Sequence, residues 1–193
     1  MHALLRAMKA ALEPHAVAAP FLATWPIEGA TLRPQQAQSL PVLSMLGRLD
    51  VQCTAATRPL VKMLVSRADS LSWRQTYNRE EVGQAFLDNY GWTEIVGLRG
   101  PVPSDRLASG FLLLGPKTLY PAHVHAAEEI YLPLSGTADW LLRADWHTRA
   151  PGEPIHHPPR VAHATRTGAT PMLALYAWRG EALSEKSTLL PAS

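Results

Sequence analysis

Residues Gly115 to Gly136 read GPKTLYPAHVHAAEEIYLPLSG, and this stretch decides how the chain is understood. His123 and His125 stand two residues apart, so on a β-strand both imidazoles project from one face. Glu129 follows four residues after His125, a spacing that can return a carboxylate to the same pocket. Further on, His156-His157-Pro158-Pro159-Arg160-Val161-Ala162-His163 supplies another histidine, His163, behind a proline turn. Imidazoles and one carboxylate suit Zn, Fe, Mn, Co or Ni while leaving positions open for water or substrate. A lone H-x-H pair would carry little weight; H-x-H-x3-E-x6-G followed by P-x4-H carries much more. The expected ligands of one divalent transition metal, zinc first, are therefore His123, His125, Glu129 and His163. His156 and His157 are expected on a loop outside that set, and His2, His15 and His147 have no motif around them.

Outward from this segment the chain has two textures. From Trp92 onward, short β-rich runs such as Thr93–Val96, Phe111–Leu114, Ile130–Leu134, Ala138–Leu142 and Met172–Trp178 are separated by glycine and proline. That rhythm predicts an antiparallel sandwich or barrel, with Ser135-Gly136-Thr137 as a tight hairpin turn. Before it the apolar spacing is helical: Leu4, Leu5, Met8 and Leu12, then Leu40, Leu43, Leu46 and Leu49, then Leu60, Met63 and Leu64. Val82, Phe86 and Leu87 predict one more short helix, stopped by Gly91, and Pro20, Pro26 and Pro34 make the first connection irregular. The expected organisation is a helical N-terminal layer over 1–91 packed on a β-barrel over 92–193, as one folding unit.

Composition narrows the function classes. A chain of 193 residues with a formal charge of +2 has no basic run to attract nucleic acid. Its apolar runs are far too short for a membrane span. Arg6, Lys9 and Glu13 break the segment that a signal peptide would keep apolar, so a soluble cytoplasmic protein is expected. The single cysteine, Cys53, rules out an intrachain disulfide or a thiolate cluster and reads as a structural thiol in a helical segment.

These motifs resemble the cupin superfamily, in which a glycine, H-x-H, Glu and Gly are followed by P-x-G-x2-H-x3-N. Pro158, His163 and Thr167 occupy the second motif, with Arg160 in place of its glycine and Thr167 in place of its asparagine. The resemblance implies a mainly β fold: a small antiparallel jelly-roll barrel with the metal in its mouth, behind an α-helical N-terminal extension. Cupins often pair, so a homodimer is within what it implies.

The run LYPAHVHAAEEIYLPLSGTADW, with Tyr120 three residues before His123 and Tyr131 two after Glu129, is similar to the cupin lyases of the Q type that cleave dimethylsulfoniopropionate. That family implies a carbon–sulfur lyase whose small-molecule substrate leaves as dimethyl sulfide and acrylate by β-elimination, with neither nucleic acid nor membrane as partner. A phenol of pKa about 10 becomes a useful base beside a cation, and Tyr131 is the first candidate. It could act near the metal or ligate it in place of a histidine. Tyr120 is the second candidate, as base or as a clamp on the substrate. Trp178 is the candidate wall for the sulfonium through cation–π attraction, with Tyr120 and His123 as further substrate contacts. Competing readings are a cupin dioxygenase or isomerase, since the same ligands hold iron, and a small-ligand-binding cupin without turnover.

Overall fold

The computed structural model describes residues 1–26, 29–180 and 182–191. Among the described residues twelve strands form two facing sheets. In chain order they are β1 (Trp73–Arg74), β2 (Tyr90–Gly97), β3 (Val102–Pro103), β4 (Leu107–Leu114), β5 (Leu119–Val124) and β6 (Glu128–Ser135). There follow β7 (Ala138–Leu142), β8 (Asp145–Arg149), β9 (Ile155–His157), β10 (His163–Thr167), β11 (Met172–Arg179) and β12 (Thr188–Leu189). The large sheet runs β1-β2-β4-β11-β6-β9, with β3 beside β2; the small sheet runs β12-β5-β10-β7-β8. All pairings are antiparallel except β2 with β3.

The central strands of the large sheet lack a polar face because both faces are covered. Every residue of β4 is buried. Phe111, Leu113, Ile130, Leu132, Leu173 and Leu175 point outward and pack in one apolar cluster with Leu4, Met8, Leu12, Leu60 and Leu64 of the N-terminal helices His2–Leu12 and Arg58–Val65. Alternate residues Leu112, Leu114, Tyr131, Met172, Ala174 and Tyr176 point inward and meet Tyr120 and Trp140 of the small sheet. Period-two alternation thus sorts one strand set between a helix layer and a barrel interior. Truncating Leu113 or Leu175 to alanine costs about 2–5 kcal/mol, from lost transfer energy plus the cavity left behind.

Several local expectations are corrected. Ser135-Gly136-Thr137 is a tight turn, but β6 and β7 do not pair across it: it carries the chain from the large sheet to the small one. Only glycine fits there, since φ is 75° and a Cβ would lie 2.1 Å from the Pro171 carbonyl oxygen. Leu40–Leu49 forms 3-10 turns over Pro41–Arg48 rather than an α-helix. The helix expected around Val82–Leu87 is two four-residue turns, Arg79–Val82 and Gln84–Leu87, divided at Gly83 with φ 78°. Cys53 is outside any helix and forms an isolated bridge with Ser135. Among the described residues no helix is long and apolar enough to cross a membrane.

Candidate metal centre

The donors converge because strand register brings them opposite one another. His123 on β5 and His163 on β10 are Cα partners in the small sheet. In the large sheet Glu129 on β6 lies between Trp178 on β11 and His157 on β9. His125 sits in the β5–β6 connection and bridges the two sheets. All five titratable groups are buried, the most exposed being His125 at 6%. His125 Nε2 lies 3.0 Å and His163 Nε2 3.4 Å from Glu129 Oε2, with His157 Nδ1 at 3.9 Å.

The imidazole tautomers are set by the backbone. Nδ1 of His123 donates to the Pro121 carbonyl at 2.8 Å, Nδ1 of His125 to Ala127 at 2.9 Å, and Nδ1 of His163 to Val161 at 2.9 Å. A carbonyl can only accept, so each neutral ring carries its lone pair on Nε2, the arrangement that metal-binding histidines use. His125 Nε2 then faces a Glu129 oxygen lone pair to lone pair unless it is protonated or a cation sits with them. His163 Nε2 and both nitrogens of His157 have no hydrogen-bond partner among the described residues. Orphaned buried nitrogens beside a carboxylate are what a divalent cation would satisfy, so the donor set fits one.

Electrostatics agree with that chemistry. Burial, reinforced by the neighbouring His163, lowers His123 to about 3, so it stays neutral. Burial also holds His157 well below the usual range. Burial opposes ionisation of Glu129, but the charge and hydrogen bond of His125, with the charge of His163, outweigh it and keep the carboxyl well below its ordinary value. For His125 burial is likewise opposed by Glu129, and the net direction is upward.

The cluster adjoins a cleft of about 390 Å³ whose walls include Tyr90, Trp92, Tyr120, Tyr131, Tyr176 and Trp178. Tyr120 stacks on His123 with ring centroids 4.3 Å apart, and its hydroxyl is 3.4 Å from that of Tyr77. Tyr131 lies on the same face of β6 as Glu129, with its ring 4.8 Å from Trp140. Burial, with Glu129 adding to it, pushes the Tyr131 phenol well above its usual value. Trp178 spends one face stacking on His125 at 4.1 Å, and its indole N–H donates to Glu129 Oε1.

His157 lies elsewhere than its sequence context implies. It was expected on a loop, but Ile155–His157 pairs with β6 as an edge strand and turns His157 inward against Glu129. Ile155, half-buried His156 and His157 alternate in burial as a strand does, but Ile-His-His-Pro carries no such alternation in residue type, so no local signal marked it. Arg160 has an exposed side chain. Its backbone has φ 61° and its N–H donates to the His125 carbonyl at 2.9 Å, which explains why the cupin motif carries glycine there. Thr167, in the asparagine position, donates to Gly115 O at 2.6 Å and so ties the two motifs together.

Two facing antiparallel sheets with imidazoles and a carboxylate gathered between them define a cupin with a candidate metal centre. A family model described as dimethylsulfoniopropionate lyase matches residues 26–174, and the chain belongs to that family. It is 39% identical over 110 residues to dimethylsulfoniopropionate lyase DddQ of Ruegeria pomeroyi, an alignment covering 56% of this chain and 55% of that protein. The chain therefore spans about half the length of that curated relative. Among solved structures, one reported with the DMSP lyases RdDddP and RnDddQII has a TM-score of 0.85 at 32% identity and 98% coverage of each chain. The crystal structure of DMSP lyase DddQ from Ruegeria pomeroyi DSS-3 has a TM-score of 0.77 at 30% identity, covering 95% of this chain and 96% of that one.

Proposed function

We propose that this chain is a metal-dependent carbon–sulfur lyase that converts dimethylsulfoniopropionate to dimethyl sulfide and acrylate. The observation that carries the reading is the buried Glu129–histidine cluster beside a cleft walled by Tyr120, Tyr131 and Trp178, in a chain of this family. His123, His125, Glu129 and His163 would hold one divalent transition metal, zinc first, and His123 also borders the substrate through its stack with Tyr120. When bound, such an ion supplies Lewis acidity toward a carboxylate, which acidifies the adjacent C–H.

Tyr131 Oη is the proposed base. It takes the proton alpha to the substrate carboxylate; the C–H electron pair becomes the new C=C bond, and the C–S pair leaves with dimethyl sulfide. Burial and Glu129 both favour the neutral phenol, so Tyr131 serves as base only when positive charge in the cluster outweighs them. Tyr120, braced by Tyr77 and stacked on His123, presents a hydroxyl that can orient the carboxylate. Trp178 offers the dimethylsulfonium the face not taken by His125, with Trp92 and Tyr176 completing an aromatic wall.

Headspace gas chromatography tests this directly on metal-loaded protein, with a chelated sample beside it. Metal-dependent dimethyl sulfide with equimolar acrylate is the expected result; bound metal with no release would remove the lyase reading. Tyr131→Phe is expected to lower turnover about 10²-fold or more while leaving substrate binding largely intact, as for a lost general base.

A further inference from the structure

His157 is the buried group for which the proposed chemistry has no task. Its side chain is fully shielded, and neither ring nitrogen has a hydrogen-bond partner among the described residues. A neutral imidazole carries one donor and one acceptor, and each costs on the order of 1–3 kcal/mol when buried unpaired. Nδ1 faces Glu129 Oε2 at 3.9 Å, beyond hydrogen-bond reach, and the ring centroid lies 4.1 Å from that of His163.

The buried donors fall into two triplets, each with ligand atoms within 4.8 Å of one another: His123, His125 and His163, and Glu129, His157 and His163. His163 belongs to both. Its Nδ1 is committed to the Val161 carbonyl, so only Nε2 is free for a metal, and one nitrogen lone pair binds one ion. His125 Nε2 and Glu129 Oε2, 3.0 Å apart, join the triplets into one cluster, which serves a single ion rather than a two-metal site.

We infer that His157 is itself a metal ligand, a further donor from β9 to the ion that His123, His125, Glu129 and His163 would hold. The inference rests on the metal-site reading proposed above and deepens it.

The test is titration of the metal-stripped full chain with Co²⁺, followed by calorimetry and visible absorption, for wild type, His123→Gln, His157→Gln and the double variant. Wild type must first bind one equivalent; failure there removes the metal-site reading itself. Given that control, each single variant is expected to keep one equivalent with affinity lowered about 10-fold or more and an altered cobalt spectrum. The double variant, which keeps only His125, Glu129 and His163 of the five donors, is expected to bind more weakly than either single variant. A His157→Gln protein with wild-type affinity and spectrum overturns the inference. Should that variant fail to fold, His157→Cys is the second probe, with wild type as the control for Cys53. A thiolate-to-cobalt charge-transfer band that wild type lacks supports ligation by position 157, and its absence in folded, cobalt-loaded His157→Cys overturns it.

Discussion

The small sheet and the large sheet both deliver donors to the cluster, but they hold them differently. His123 and His163 stand opposite each other on β5 and β10, and each is locked by the carbonyl two residues before it. Glu129 and His157 are also Cα partners, on β6 and β9. Glu129, however, is held only by side chains, His125 and Trp178, and His157 has no hydrogen-bond partner among the described residues. The small sheet therefore presents donors whose tautomer the backbone has set before any metal arrives. The large sheet presents donors that no backbone carbonyl fixes. Preorganisation on one side and adaptability on the other is what a centre needs if it must keep its metal yet accept a changing ligand.

Removing His163, which lies in both donor triplets, should have the largest effect. His163→Ala is expected to abolish metal binding and lyase turnover together; full activity with bound metal would break the assignment of the centre. Trp178→Phe comes next, because it retains an aromatic ring against His125 but deletes the N–H that holds Glu129. It should weaken metal affinity about 10-fold, the size expected for losing a partner of a ligand, measured by calorimetry. An unchanged affinity would mean that Glu129 needs no support from β11.

The metal-free protein should also lose stability in acid. His123, lowered from 6.5 to about 3 by burial and His163, stays neutral in the fold while the unfolded chain binds a proton. Its contribution is present above about pH 6.5 and is lost as pH falls toward 3. Glu129 acts in the same direction, since its depressed carboxyl contributes stability that disappears as pH drops through the carboxylate range. His125, raised by Glu129 against the effect of burial, acts the opposite way: its contribution is present at low pH and is lost as pH rises through its folded value. Thermal melts of the chelated protein between pH 7 and 3 should show a net fall, and a flat profile would refute this balance. The smallest effect belongs to Arg160→Gly, where relief of a left-handed backbone at φ 61° should add roughly 0.5–1 kcal/mol of stability. Turnover should be unchanged, because the Arg160 side chain is exposed and only its N–H is engaged.

Much of the barrel was legible because strand identity is a local property. The apolar runs at Ile130–Leu134, Ala138–Leu142 and Met172–Trp178 all lie within strands of the structure. Among the local expectations that failed, three show tertiary contacts outweighing short-range pattern. Leu40–Leu49 has helical apolar spacing but takes 3-10 turns that seat Val42 and Leu49 in the core. Gly136 makes the expected turn, but its strands separate into different sheets. Cys53 joins β6 through a bridge to Ser135 rather than a helix.

The sequence by itself determined which side chains share a face within one strand or its immediate continuation: His123 with His125, and Glu129 with Tyr131. Period-two geometry allows nothing else there, and the spacing of the histidines and glutamate carries it directly. Only the tertiary structure decided which strands lie side by side, and with that the placing of His157 and Trp178 on either side of Glu129. Trp178 reaches Glu129 across 49 residues of chain. Register between strands is set by how the whole inner and outer faces bury their apolar residues, so no local spacing encodes it.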